Sequence, residues 1–458
     1  MNAWKQVLLA GGLCLCLAGY TFAVSPEEAA QLKTTLTPMG AEKAGNADGT
    51  IPAWTGGYTT VDPKFKNGGK RPDPFANEKP LFSITAKNMD KYADKLDDGT
   101  KAMLKKFPDS YRLDIYPTHR TAAAPQWVYD NTFKNATRAQ MVQNGDNPEP
   151  RNVYGGIPFP IPKTGAEAMW NAMLRWRGVD WHFDGTQYIV TADGRMALTA
   201  DATGDQSMPY YYKELGSPEA YNKKYDGNYW DIRVLTHAPP IRAGEAIAGW
   251  QDLNDPKTTT WVYLTGQRRV RMLPNACCDT PSPSSAGVMS FDEIEVYETR
   301  MGRFNWKILG KKEMYIPYNT NRILQPTKDT MVIGKHHMNP DYVRWELHRV
   351  WVVEATLKPG HRHPAARGLY YLDEDTWEAV LGDRWDAKGQ LWRQLWALPL
   401  VFPDIPAVGD AQFGFYDMTS NTWYVSNIMN EKAEQFKIMP RYPDRTFTGD
   451  SLASESVR

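Results

Sequence analysis

The sequence predicts a β-dominated α+β protein: one large curved antiparallel sheet, or half-open barrel, with helices covering its concave side. Three observations carry this. Apolar residues recur with period two from Trp181 onward, turn residues punctuate those runs, and no regular alternation of strand and helix interrupts them.

The chain opens with an apolar run from Val7 to Phe22, with small residues Thr21 and Ala23 at its end, which reads as a signal peptide spanning residues 1–23. The run is too short, and its sequel too polar, for a membrane anchor. Cys14 and Cys16 follow Leu13 and Leu15, not the small residues that lipoprotein processing needs, so a soluble exported protein is expected.

Residues 24–163 form an irregular Pro- and Gly-rich segment expected to pack on the sheet, with helical spacing after Thr85 and again after Pro125. A third helix is better specified, because Thr164 and Glu167 make a capping box and Gly178 supplies a stop. The barrel domain is expected over residues 164–439, and the polar residues 440–458 read as a mobile tail.

Within the barrel segment, Asp193-Gly194 marks a hairpin with positive φ at both turn residues. "TTTWVYLTGQRRVRML" reads as a second hairpin. A two-residue turn at Thr265-Gly266 would pair Trp261 with Val270 and Tyr263 with Arg268. Trp261, Tyr263, Val270 and Met272 then share an apolar face, while Gln267, Arg269 and Arg271 share a wet one. In "RWELHRVWVVEATLK", Trp345, Leu347, Trp351 and Val353 alternate with Glu346, His348 and Glu354, as in a strand with one solvated side. "DAKGQLWRQLWALPLVF" reads as a short helix across the concave face.

The formal charge is zero, with 53 basic and 53 acidic residues and no long charged block, so neither nucleic acid nor an anionic membrane is an expected partner. Aromatic residues reach 12%, which suits either a filled β core or a broad apolar surface.

The motifs "GAEKAGNADGTIPAWTGG", "YPTHRTAA", "GGIPFPIP", "YLTGQRRVR", "GKKEMYIPYN" and "RWELHRVWVVEATLKPGHRH" together resemble domain-of-unknown-function family 1329, exported Gram-negative proteins labelled outer-membrane lipoprotein-sorting proteins. The resemblance spans Met39 to Met429. It implies a LolA/LolB-like half-open barrel with a cavity for acyl chains, and an association with RND-type exporters; it carries no catalytic residue.

The function expected is therefore a carrier for a hydrophobic molecule, a lipid or lipoprotein acyl chain, without cofactor or catalysis. Its cavity would be lined by Trp261, Tyr263, Val270, Met272, Trp345, Leu347, Arg349, Trp351 and Val353. Arg349, amid an apolar face, needs either a carboxylate such as Glu313 or Asp373 or a polar ligand head group. A periplasmic hydrolase acting on a hydrophobic or sugar substrate, and a filled exporter adaptor, are the alternatives.

Chemical motifs are sparse. His336, His337, His361 and His363 flank one strand, but their spacing makes a weak metal set. The acids of "DEDTWE" and "DEIEVYE" fall where turns or solvated strand faces would put them. After export Cys277 and Cys278 are the remaining thiols. They lack the C-x-x-C spacing and read as a vicinal disulfide or two thiols at a strand exit.

Overall fold

The computed structural model describes residues 24–274 and 276–455. The expected signal peptide, residues 1–23, lies outside the described residues. Among them no helix is long and apolar enough to cross a membrane.

In chain order the strands are β1 (Phe82–Ile84), β2 (Leu113–Ile115), β3 (Gln140–Asn144), β4 (Asn147–Arg151), β5 (Asp180–Val190), β6 (Met196–Ser207), β7 (Asn228–Ala238), β8 (Ala246–Asp252) and β9 (Thr259–Leu264). They continue as β10 (Arg269–Met272), β11 (Phe304–Pro317), β12 (Arg344–Leu357), β13 (Arg367–Asp373), β14 (Ala379–Trp385), β15 (Leu391–Phe402), β16 (Ala407–Asp417), β17 (Trp423–Ile428) and β18 (Phe436–Ile438). Sixteen of them form one sheet in the order β1-β2-β12-β13-β14-β15-β16-β17-β5-β6-β7-β8-β9-β10, with β11 also on β12 and β18 on β5. The sheet is open, and antiparallel except where β2 runs parallel to β12 over two residue pairs. The irregular N-terminal segment thus contributes β1 and β2 to the sheet it covers.

The helices are short: α1 (Pro26–Ala29), α2 (Asp98–Lys106), α3 (Gln126–Arg138), α4 (Gly165–Met173), α5 (Pro218–Tyr225), α6 (Asp329–Val332) and α7 (Gly449–Glu455). The capping box of α4 is present: Thr164 accepts from the Glu167 amide and Glu167 from the Thr164 amide. This helix ends at Met173, well before Gly178. The helical spacing after Thr85 resolves into a 3₁₀ segment, Met89–Lys95, and α2. Asp97 separates them by capping α2 at the Thr100 amide.

Four expectations are corrected. Leu391–Phe402 is strand β15, not a helix: nine of its residues from Gln394 on are buried, and Pro399 sits at a bulge, a place where strands tolerate proline. The turn between β5 and β6 takes five residues, and only Gly194 of the Asp193-Gly194 pair has positive φ. The β9–β10 loop has four residues, so Trp261 pairs with Met272 and Tyr263 with Val270. That two-residue shift keeps every side chain on its assigned face, because the side-chain period is also two. The tail is not free: α7 packs on β8, β9 and β10, and its Leu452 is buried against Ala246 and Ala248.

The largest departure concerns solvated faces. From Arg344 to Val350 strand β12 is buried on both sides, so Glu346 and His348 lie inside the protein. The acids Asp373, Glu374, Asp375 and Glu378 are buried too, as are Asp292, Glu293, Glu295 and Glu298.

Candidate functional site

Strands β7, β8 and β9 place Val234, Ile247 and Val262 in one cross-strand row. The neighbouring row holds Ile232, Gly249 and Thr260. Gly249 is required here, because a Cβ would stand 2.3 Å from the Thr259 carbonyl oxygen. Over these rows runs the strap formed by residues 276–303. Its Phe291 and Ile294, with Ser282 and Ser284, face Trp230, Ile232, Val234 and Ile247 across an apolar trough of about 460 Å³, solvent at its mouth included. The trough continues past Val234 and Ile247 to a rim of Tyr263, Leu264 and Pro283.

Buried ion pairs hold the strap down. Glu295 accepts from Arg175 at 2.7 Å and from Arg177, and Glu293 accepts from Arg393 at 2.6 Å. Asp292 lies 3.2 Å from Arg384 and 2.8 Å from His363 Nε2. Burial opposes ionisation of Asp292, yet the Arg384 charge and His363 hold its carboxyl well below the usual carboxylate range. Glu298, deeper in the same cluster, is pushed up to about 7 by burial, with the Glu295 charge adding to the rise. At the rim, Arg242 donates to the Thr199 carbonyl at 2.5 Å and to that of Pro283, tying strap to β6. The run read as solvated acids is therefore the fastening of the strap.

The expected cavity residues divide between two places. Trp261, Tyr263 and Val270 pack with Leu452 of α7, and Tyr263 also reaches the trough rim. Met272 is largely exposed. Trp345, Leu347 and Val353 lie in the main core, where Trp345 lines a second apolar pocket of about 380 Å³, open solvent included, with Trp396, Leu398 and Tyr416. Trp351 stacks on Trp377. Nine strands separate β9 from β12 in the sheet order.

Arg349 is answered by protein carboxylates: Glu374 at 3.2 Å and Glu42 at 3.5 Å. Neither expected partner is the one used. Glu313 stands directly across from Arg349 in the β11–β12 register, but its carboxylate turns to Asn46 and Lys95.

The four weighed histidines are dispersed. His361 lies 3.3 Å from Asp146, His363 pairs with Asp292, His337 contacts Ser110, and His336 stacks on Phe107. The metal-like grouping among the described residues is one that sequence spacing does not reveal: His348, Asp373 and Asp375, with ligand atoms within 4.8 Å of one another. Arg120 already takes both Asp375 oxygens, at 2.7 and 2.8 Å, so the group fits an internal ion network better than a metal centre. Asp373 is pushed up to about 7 by burial and then by the Asp375 charge. Cys277 and Cys278 are buried free thiols in the strap, with Cys278 at φ 60°.

Fold and site define a β-dominated protein on one large open sheet, with an apolar trough beneath a strap. The chain belongs to the family described as protein of unknown function (DUF1329), whose model matches residues 83–453. It is 38% identical over 469 residues to the uncharacterized protein PA3922 of Pseudomonas aeruginosa, covering all of both chains. Solved structures similar to it include a DUF1329 family protein from Desulfovibrio piger, at 13% identity and TM-score 0.40 over 60% of this chain and 92% of that one. Another is a putative outer membrane lipoprotein-sorting protein domain from Vibrio parahaemolyticus, at 12% identity and TM-score 0.42 over 63% and 98%. The LolA superfamily protein NE2245 from Nitrosomonas europaea matches at 12% identity and TM-score 0.37 over 63% and 100%.

Proposed function

We propose that the protein binds and carries a hydrophobic ligand in the trough between β7–β9 and the strap, working in the periplasm after export on the leader that ends at Ala23. The observation that carries this reading is the trough itself: Trp230, Ile232, Val234, Ile247, Phe291 and Ile294 converge on open space with few polar groups among them. Each ligand CH₂ transferred there from water contributes about 0.8 kcal/mol. Binding, not catalysis, is also the reading that the acidic runs favour, since arginines engage their carboxylates away from the trough. The acceptor in this reading is an RND-type exporter, the partner that the family resemblance implies, and loss of cargo transfer in its absence is the corresponding test.

The binding test is direct. Protein taken from the periplasm should carry lipid in native mass spectrometry and should bind N-phenylnaphthylamine with a rise in fluorescence. Ile232→Glu, at a half-buried trough position, should abolish dye binding while the near-UV circular dichroism stays native. Dye binding unchanged in that variant would remove the trough from the proposal.

A further inference from the structure

The open side of the trough is edged by cations. In the sheet register Val234 stands beside Ile247, Ile247 beside Val262, and Val262 beside Arg271. The row whose Val234 and Ile247 line the trough therefore runs on, through the buried Val262, to Arg271 at the free edge of the sheet. One step toward the rim, Leu264, which lines the trough, stands directly opposite Arg269. Directly opposed residues share a sheet face, so both arginines lie on the trough side.

Arg269 and Arg271 are exposed. Among the described residues neither has a carboxylate within 4.0 Å, whereas Glu245, an acid at this rim, is held by Arg242 at 2.8 Å. The arrangement is amphipathic along one line: apolar floor under the strap, then two guanidinium groups where β10 ends the sheet. Three strand spacings, about 14 Å, separate Val234 from Arg271.

We infer that the trough takes an anionic amphiphile, its tail along Val234, Ile247 and Leu264 and its carboxylate or phosphate head at Arg269 and Arg271. This rests on the carrier reading and adds the head-group class. A guanidinium donates in parallel to two oxygens of one head, so it discriminates by charge and geometry together. A cationic head would be repelled from the same place.

The test displaces N-phenylnaphthylamine from the full mature protein with dodecanoate, dodecyl phosphate, dodecanol and dodecyltrimethylammonium, each below its micelle concentration. The two anions should displace the dye at least tenfold better than the alcohol and the cation, with an advantage that shrinks as salt rises. Whichever anion is stronger assigns the head as carboxylate or phosphate. In the double variant Arg269→Gln/Arg271→Gln the anion advantage should vanish while dye binding and melting temperature hold. Equal displacement by all four compounds, or an anion advantage that survives in the double variant, overturns the head-group inference alone. If neither dye nor any amphiphile binds the unaltered protein, the carrier reading fails and the inference falls with it.

Discussion

Replacing Arg120 by Met should be among the most damaging single changes in this protein. Arg120 is 7% exposed and joins two distant segments. It donates to both oxygens of Asp375, in the turn between β13 and β14, and to the backbone oxygens of Glu42, Lys43, Ala44 and Pro52. Methionine fills much of the space and makes none of these bonds. Breaking a buried pair from one side costs roughly 3–5 kcal/mol, because the surviving charge has no compensation. The abandoned carbonyls add about 1 kcal/mol in total after local relaxation, so the loss at pH 7 should be about 5 kcal/mol. Urea unfolding followed by tryptophan fluorescence measures this. Arg120→Met/Asp375→Leu should recover much of the loss at pH 7, since no charge is then stranded. A loss below 1 kcal/mol, or no recovery in the double variant, would refute the reasoning.

Three further outcomes follow from the same physics. Burial pushes Asp231 up to about 7, with Asp444 and Asp180 adding to the rise. Its contribution to stability is full below about pH 4 and is lost as pH climbs through 7, so Asp231→Asn should remove up to about 4 kcal/mol of the decline between pH 4 and pH 8. An undiminished decline in that variant would contradict the assignment. Gly414→Ala should cost about 3 kcal/mol by overpacking, because the new Cβ would meet the Tyr424 carbonyl oxygen at 2.0 Å and backbone yields poorly. Circular dichroism melts of the two proteins test it. In protein lacking residues 1–23, Ellman's reagent should find no reactive thiol in the native state and two after unfolding in urea, since Cys277 and Cys278 are both free and buried. Zero thiols after unfolding would instead establish the vicinal disulfide.

Much of the β architecture is legible in the chain. Period-two alternation marks β12 and the β9–β10 hairpin, and the face assignment of that hairpin survives an error in loop length because two residues are a full side-chain period. The capping box of α4 is readable because both partners lie within one helical turn. The trough is not readable, since Phe291 and Ile294 meet Trp230 and Ile247 only after the strap folds back over three strands. Period alone also fails for β15, where apolar residues on both faces mimic a helical spacing.

The sequence by itself determined the local grammar: which stretches extend, where helices start, and which side chains share a face of β9 and β10. Tertiary structure alone decided the fate of the charges. Asp292, Glu293 and Glu295 look like a solvated run until Arg384, Arg393, Arg175 and Arg177 arrive from 92 to 120 residues away. A carboxylate's preference for water or for the interior depends on whether a guanidinium is within hydrogen-bond reach. That proximity is a property of the folded sheet and its strap, and no spacing within the run encodes it.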